Sequence, residues 1–344
     1  MNKLFRLLTM MCIAGSLFSP PALSMAADVP FVIKDGILVS CSGSGPTLAI
    51  PEGVIAIGEN AFARCDTLTQ VTLPASIKTI GSFAFFQCTA LEEIYLPEAL
   101  TDIGEGAFFG CTALKEARLP SSLSSMGAGV FYGCDVLVNV ALAGGLTYLG
   151  EGVFYGCKSL RAITLPDTVA AIGRGAFYNC TSLETAVLPE SLEDIGEGAF
   201  TNCTALAKIT LPPKLRSIGE GAFFGCSSLS SVTLPEGVVS ISSYAFAECS
   251  ALASIQWPTA LQSIGDFAFS ACGALAVFHA PESLLHIGEG SFADCTALRE
   301  ATLPQVLISV GSGAFYNCSS LQPLTLPGSV ISAGDEIFGG RKTP

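Results

Sequence analysis

Residues 111–133 read CTALKEARLPSSLSSMGAGVFYG, and nearly the same string returns every 23 positions from Cys65 to Gly340 with no residue inserted or lost. Its common form is C-x-x-L-x-x-[IVA]-x-L-P-x-x-[LVI]-x-x-I-G-x-G-A-F-x-x. Twelve cysteines mark the beat: Cys65, Cys88, Cys111, Cys134, Cys157, Cys180, Cys203, Cys226, Cys249, Cys272, Cys295 and Cys318. A fixed period of this length marks a solenoid, in which each short unit leaves an apolar side bare until the next unit covers it.

Within a unit, apolar positions alternate over a short stretch, as in Leu91-x-x-Ile94-x-Leu96, which predicts a strand with these residues inward. Pro follows in 12 of 13 units and, lacking an amide hydrogen, ends the strand. Ile-Gly comes next, with Gly in 12 of 13 units and Ser242 as the exception, so a tight turn or a close backbone approach is expected there. The Ala-Phe pair that follows is expected in a short helical turn; its Phe is present in all 13 units, from Phe62 to Phe338. Gly or Asn before the cysteine, as at Gly110, Asn179 and Gly225, suits a left-handed residue closing that turn. Large beside small in one inward column, Trp257 before Ala280 and Phe278 before Ala301, is volume compensation and places Trp257 in the core.

Ahead of the repeat, Lys3 and Arg6, the apolar run Leu7 to Phe18 and Ser24-Met25-Ala26 read as a signal peptide over residues 1–26. Residues 27–64 read as an N-terminal cap with a partial first repeat, opened by a hairpin at Asp35-Gly36. Twelve repeats fill 65–340 and a short tail 341–344 follows; the last unit has no obvious cap, so association of two copies through it is one expectation. Beyond the signal peptide, no run approaches the roughly 18–20 apolar residues of a membrane helix. Of 344 residues 13% are charged, with 29 acidic against 16 basic and a net charge of -13. Nucleic acid and anionic lipid are poor partners for such a surface, because both need clustered Lys and Arg.

The unit resembles the leucine-rich repeat of the Treponema pallidum type found in BspA-like surface proteins, and the cap segment Asp35-Gly36-Ile37-Leu38 with Gly43-Ser44-Gly45 is similar to the start of many of them. The resemblance covers about residues 31–340. It implies a right-handed leucine-rich-repeat solenoid of the α/β type, about 12 to 13 rungs long, with a parallel sheet on one face and short strands and helical turns on the other. It also implies an exported or cell-surface protein that binds host matrix proteins or other cells, with no cofactor.

The residues themselves carry little chemistry. The repeated cysteines share a turn with the inward Phe, and in-register neighbours stand near 4.8 Å apart with parallel side chains, which favours a ladder of buried thiols over disulfides. Spread along the whole stack, they do not converge on a metal. Cys41 lies off the ladder, in the cap. Gly104-Glu105-Gly106 looks like a phosphate loop, but it recurs in most units, whereas a phosphate loop occurs once before a longer helix. With only His279 and His286 and no distinctive carboxylate pair, an enzyme is not expected. The acids Glu59, Glu105, Glu151, Glu197, Glu220, Asp266, Glu289 and Asp335 are expected at the start of each helical turn, facing its dipole.

Two surfaces are left for a partner. Outward strand positions change from Glu93, Tyr95, Glu116 and Arg118 in the N-terminal third to a Thr-rich middle, and varied residues on a repeated scaffold are where a solenoid meets its ligand. A stripe just after the Phe column, Phe86, Phe109, Tyr132, Tyr155 and Tyr178, is expected to be half exposed, either docking a protein or glycan or sealing the groove between units.

Overall fold

A computed structural model describes residues 31–42, 45–142 and 144–340, so the expected signal peptide and tail lie outside the described residues. The described chain is a β-solenoid in which most of the 23-residue coils cross two parallel ladders. It opens with an antiparallel hairpin, β1 (Phe31–Lys34) and β2 (Ile37–Cys41), turned by Asp35 and Gly36 at φ 51° and 76°. The coils proper start with β3 (Thr47–Ala49) and β4 (Ala56–Ile57), which found the two ladders.

The first ladder holds eleven three-residue strands, such as Gln70–Thr72, Glu93–Tyr95 and Glu116–Arg118. Their burial mostly runs exposed, buried, exposed, so the predicted inward column, Val71, Ile94, Ala117 and their equivalents, is core. Pro then closes a turn with its carbonyl, accepting the amides of Ile77 at 3.2 Å and Leu100 at 3.0 Å from Pro74 and Pro97.

The second ladder holds thirteen two-residue strands, such as Thr79–Ile80 and Asp102–Ile103, and it is where the Ile-Gly pair falls. The glycine is there for close approach: a methyl on Gly104 would stand 2.5 Å from the Ser82 amide nitrogen, and one on Gly81 2.7 Å from that of Glu59. Gly219 and Gly265 donate their amides to Ile195 and Ile241 of the preceding coil at 2.8 Å. At the exceptional Ser242 the hydroxyl instead donates to the Ile218 carbonyl at 2.7 Å, and the ladder breaks there, between Ser217–Ile218 and Ser240–Ile241. A second break, between Ser125–Met126 and Tyr148–Leu149, falls in the coil where Ala143-Gly144 stands in place of Pro-x.

The expected helical turns are not formed: there is no helix among the described residues, so the α/β description is corrected to all-β with turns. Each coil carries two left-handed residues four apart on either side of its Ala-Phe pair, for example Phe83 and Gln87 at φ 55° and 54°, or Gly106 and Gly110 at 57° and 70°. A left-handed residue cannot continue an α-helix. Amides instead alternate between their own turn and the next coil: Ala84 donates to Gly81 and Phe86 to Phe83, while Phe85 donates to Ala107 and Gln87 to Phe109. The turn side is thereby stitched coil to coil as firmly as the ladders are. Without a helix there is no helix dipole for the repeated acids to face; Asp266 accepts the Glu289 amide of the next coil at 2.8 Å instead.

The invariant Phe forms an unbroken interior column from Phe62 to Phe338, with successive centroids 4.9–5.9 Å apart and rings within 19° of parallel. Trp257, partly buried, packs edge-on against Phe269 and Phe278 at 5.2 Å, as a core residue should. At the far end Ile331 is 85% exposed beside the exposed strand Ser332–Ala333.

Two substitutions test this packing in urea unfolding followed by Trp257 fluorescence. Gly106→Ala forces a Cβ into the Phe83 ring at a left-handed position, and should destabilise by about 1–3 kcal/mol. Ser291 is fully buried in the alanine column with an unpartnered hydroxyl, so Ser291→Ala should stabilise by about 1 kcal/mol.

Candidate functional site

Four of the nine predicted site residues come together on the first ladder. Glu93–Tyr95 pairs in parallel with Glu116–Arg118, setting Glu93 beside Glu116 and Tyr95 beside Arg118. Tyr95 is 66% exposed and donates its hydroxyl to the Glu93 carboxylate at 3.1 Å; that bond, with the carboxylate's charge, raises its pKa above the ordinary tyrosine value. Arg118 reaches Glu116 at only 3.9 Å and its side chain is 83% exposed, so the guanidinium is mostly available. Asn139 on the next strand donates to Glu116 at 3.3 Å, and Lys115 pairs with Glu92 at 2.7 Å at the edge of the block. Exposed pairs like these fix side-chain directions and add little stability.

The other five, Phe86, Phe109, Tyr132, Tyr155 and Tyr178, lie on the turn side as a separate half-buried stripe. From Phe109 onward the rings stack face to face, with centroids 4.3–4.6 Å apart and 2–5° from parallel. Burial, followed by the neighbouring tyrosines, pushes Tyr132 well above its ordinary pKa. A sugar stacks on a ring face. These faces are spent on one another, leaving edges and hydroxyls outward, so the stripe serves first as a seal between coils.

The cysteine ladder is buried as expected, and none of Cys41 to Cys318 is in a disulfide. It does more than fill space. From Cys88 to Cys318 each thiol donates to the carbonyl of the Phe 26 residues earlier, at 3.0–3.3 Å. That carbonyl already accepts the amide of its own coil's cysteine, as Phe62 does from Cys65 at 3.1 Å, so the small polarisable thiol adds a second donor that ties one coil to the next. Burial pushes Cys65 up to about 11 and Cys88 and Cys226 up to about 12, the opposite of an activated nucleophile. His279 bonds Thr302 on the first ladder and His286 bonds Ser309 on the second, so the two rings belong to different ladders. No cluster of three metal-ligating side chains occurs among the described residues.

Sequence reasoning missed one feature, a shallow basin of about 480 Å³ on the turn side near the last coils, with Phe267 and Tyr316 in its lining. Its signal was present in the stripe column, where Ala247, Ser270 and Ala293 stand between Phe224 and Tyr316.

A family model described as a BspA type leucine rich repeat region in six copies matches residues 33–160, 124–238 and 218–343. Among solved structures, a leucine-rich repeat protein from Bacteroides ovatus is 29% identical with a TM-score of 0.70, over 85% of this chain and 84% of that one. A leucine-rich cell surface protein from Faecalibacterium prausnitzii is 22% identical with a TM-score of 0.50, over 93% of this chain and 96% of that one, a likeness of fold. No match is found among the curated proteins.

The thiols predict an alkaline limit. Their folded-state pKa values stand above the ordinary 9.0, so their contribution is complete below about pH 9 and is lost as the pH rises from there toward 12. Thermal unfolding measured between pH 8 and 11 should show a falling midpoint, each protected thiol adding about 1.4 kcal/mol per pH unit. A midpoint that holds constant over that range would contradict the buried ladder, as would rapid alkylation of Cys88 to Cys318 in the folded protein.

Proposed function

Given that the chain belongs to the BspA-type leucine-rich repeat family, we propose that it is an exported, surface-associated binding protein whose ligand is another protein, held at the block of Glu93, Tyr95, Glu116 and Arg118. The observation that carries this reading is the exposure of Tyr95 and Arg118 side by side on one ladder. Tyr and Arg dominate the energetics of protein interfaces, and here a rigid parallel ladder presents them with Glu93 and Glu116 steering their heads. Elsewhere the ladder's outward residues are mostly small or Thr, as at Ala162–Thr164, Ser231–Thr233 and Ser254–Gln256. Acquired variation on an otherwise uniform scaffold supports a binding role over a structural one. Residues 1–26 fit an export signal and 27–64 a cap for the first coil.

A second reading, end-to-end association of copies through the last coil, is favoured by the exposure of Ile331. Light scattering across a range of concentrations tests it directly: a mass that stays at one chain removes it.

The main reading is tested by capture on a panel of immobilised extracellular-matrix proteins and glycans. Tyr95→Ala and Arg118→Ala should each weaken capture of the bound protein about tenfold, an effect of roughly 1.4 kcal/mol typical of interface hot spots. Equal capture by both variants, or capture by glycans alone, would overturn it. Fractionating expressing cells into medium, envelope and cytoplasm checks export.

A further inference from the structure

Phe267 followed by Gly290 and Gly313 repeats the pattern of Phe83 followed by Gly106 and Gly129, but the basin lies where the aromatic stripe is interrupted: Ser270 and Ala293 stand at the positions that Phe86 and Phe109 hold beside Phe83 and Gly106. In the first left-handed column Tyr244 and Phe267 stack at 5.2 Å and 11°, and the next two coils have Gly290 and Gly313, so no side chain follows the Phe267 ring until Glu336. Two coils without side chains open a gap on the order of 10 Å along the stack. Ala293 completes the floor, and Tyr316, 41% exposed, lies across Gly339 and Gly340 at the far side. At Gly290 a Cβ would enter the Phe267 ring as that ring lies.

Among the described residues the charged groups of the rim are all acidic. Glu289 and Asp335 stand on one side, Asp294 on the other and Glu336 at the end, all exposed, and among the described residues no Lys or Arg is in the lining. None of the four makes a salt bridge among the described residues. Asp294 takes a hydrogen bond from Asn317 at 2.7 Å, which holds it at the rim. Aromatic rings beside unpaired carboxylates form the environment that favours an organic cation: the alkyl stem packs on the ring and small-residue floor while the charged head meets the acids.

We propose that this basin is a second binding site, separate from the Tyr95–Arg118 block, that takes a lysine or arginine side chain presented by a basic segment of a partner protein. The occupant follows from charge complementarity, from the aromatic lining, and from a volume of about 480 Å³ that admits one long side chain with its backbone but not a folded domain. The net charge of -13 draws basic partners toward the surface, and the basin supplies the local preference.

The test uses the full chain and a fluorescein-labelled hexalysine peptide, read by anisotropy at low and at physiological salt, with the fully acetylated peptide as control. Wild type should bind hexalysine and not the acetylated form. The double variant Glu289→Gln/Asp335→Asn should lose at least tenfold in affinity and Phe267→Leu about fivefold, while Glu52→Gln/Glu98→Gln, with the same change in net charge, should bind as wild type does. Equal loss in the two double variants would reduce the effect to overall charge and overturn the site. Displacement of the peptide by millimolar Ca²⁺ would do the same, by assigning the acids to a metal. Carbodiimide coupling of the bound peptide to the wild-type protein gives an answer independent of variant folding: links should concentrate on Glu289, Asp294, Asp335 and Glu336, and links spread over the surface acids would refute the proposal. Loss of matrix-protein capture in Tyr95→Ala with peptide binding intact, or the reverse, tells the two sites apart.

Discussion

Register is the constraint on which the rest depends. One Phe per coil must lie over the Phe before it, and twelve such contacts at 4.9–5.9 Å run the length of the described stack. A slip of one residue in any coil would take the ring out of the column and put the smaller Ala84-type residue or a stripe residue such as Phe86 in its place. Every other periodic feature follows from that alignment. The thiol sits beneath the ring where it can reach the Phe carbonyl of the coil before, and glycine stands where two backbones meet too closely for a Cβ.

Replacing a helix by alternating turns is what allows the coils to lie so close. An α-helix satisfies its own amides and is about 10 Å wide with side chains, so stacked helices would splay the units apart. Here every second amide of the turn segment reaches into the next coil, and the spacing on the turn side comes to match that of the parallel ladders. The cost is a pair of left-handed residues per coil, met by Gly or Asn in most coils and by Phe83, Tyr244 and Phe267 in a few. One of those exceptions, Phe267, lines the acidic basin with its far face against Tyr244, so local backbone strain and a surface feature coincide there.

Surface variation is therefore the place to look for function. Inside, the periodic residues are interchangeable between coils and carry no information about a ligand. Outside, the ladder changes character at Tyr95 and Arg118, and the turn side changes character at Phe267 and Tyr316. The stripe from Phe86 to Tyr178 is intermediate: periodic enough to be structural, with ring faces consumed by stacking and only edges available to a partner.

The chain by itself determined the period, the parallel strand, the inward columns, the buried thiols and the exposed block at Glu93 to Arg118, because each rests on a side chain's preference for core or water, repeated too often to be accidental. It also placed the left-handed residues before the cysteines, at Gly110, Asn179 and Gly225. Only the tertiary structure decided that the Ala-Phe segment is not helical, that Ile-Gly is a second ladder, and that Phe267, Tyr316 and four distant acids share a basin. Those outcomes depend on which amide bonds to which carbonyl in the next coil, and on which side chains in adjacent coils are missing. Both are relations between residues 22 or more apart, invisible to a reading made within one unit.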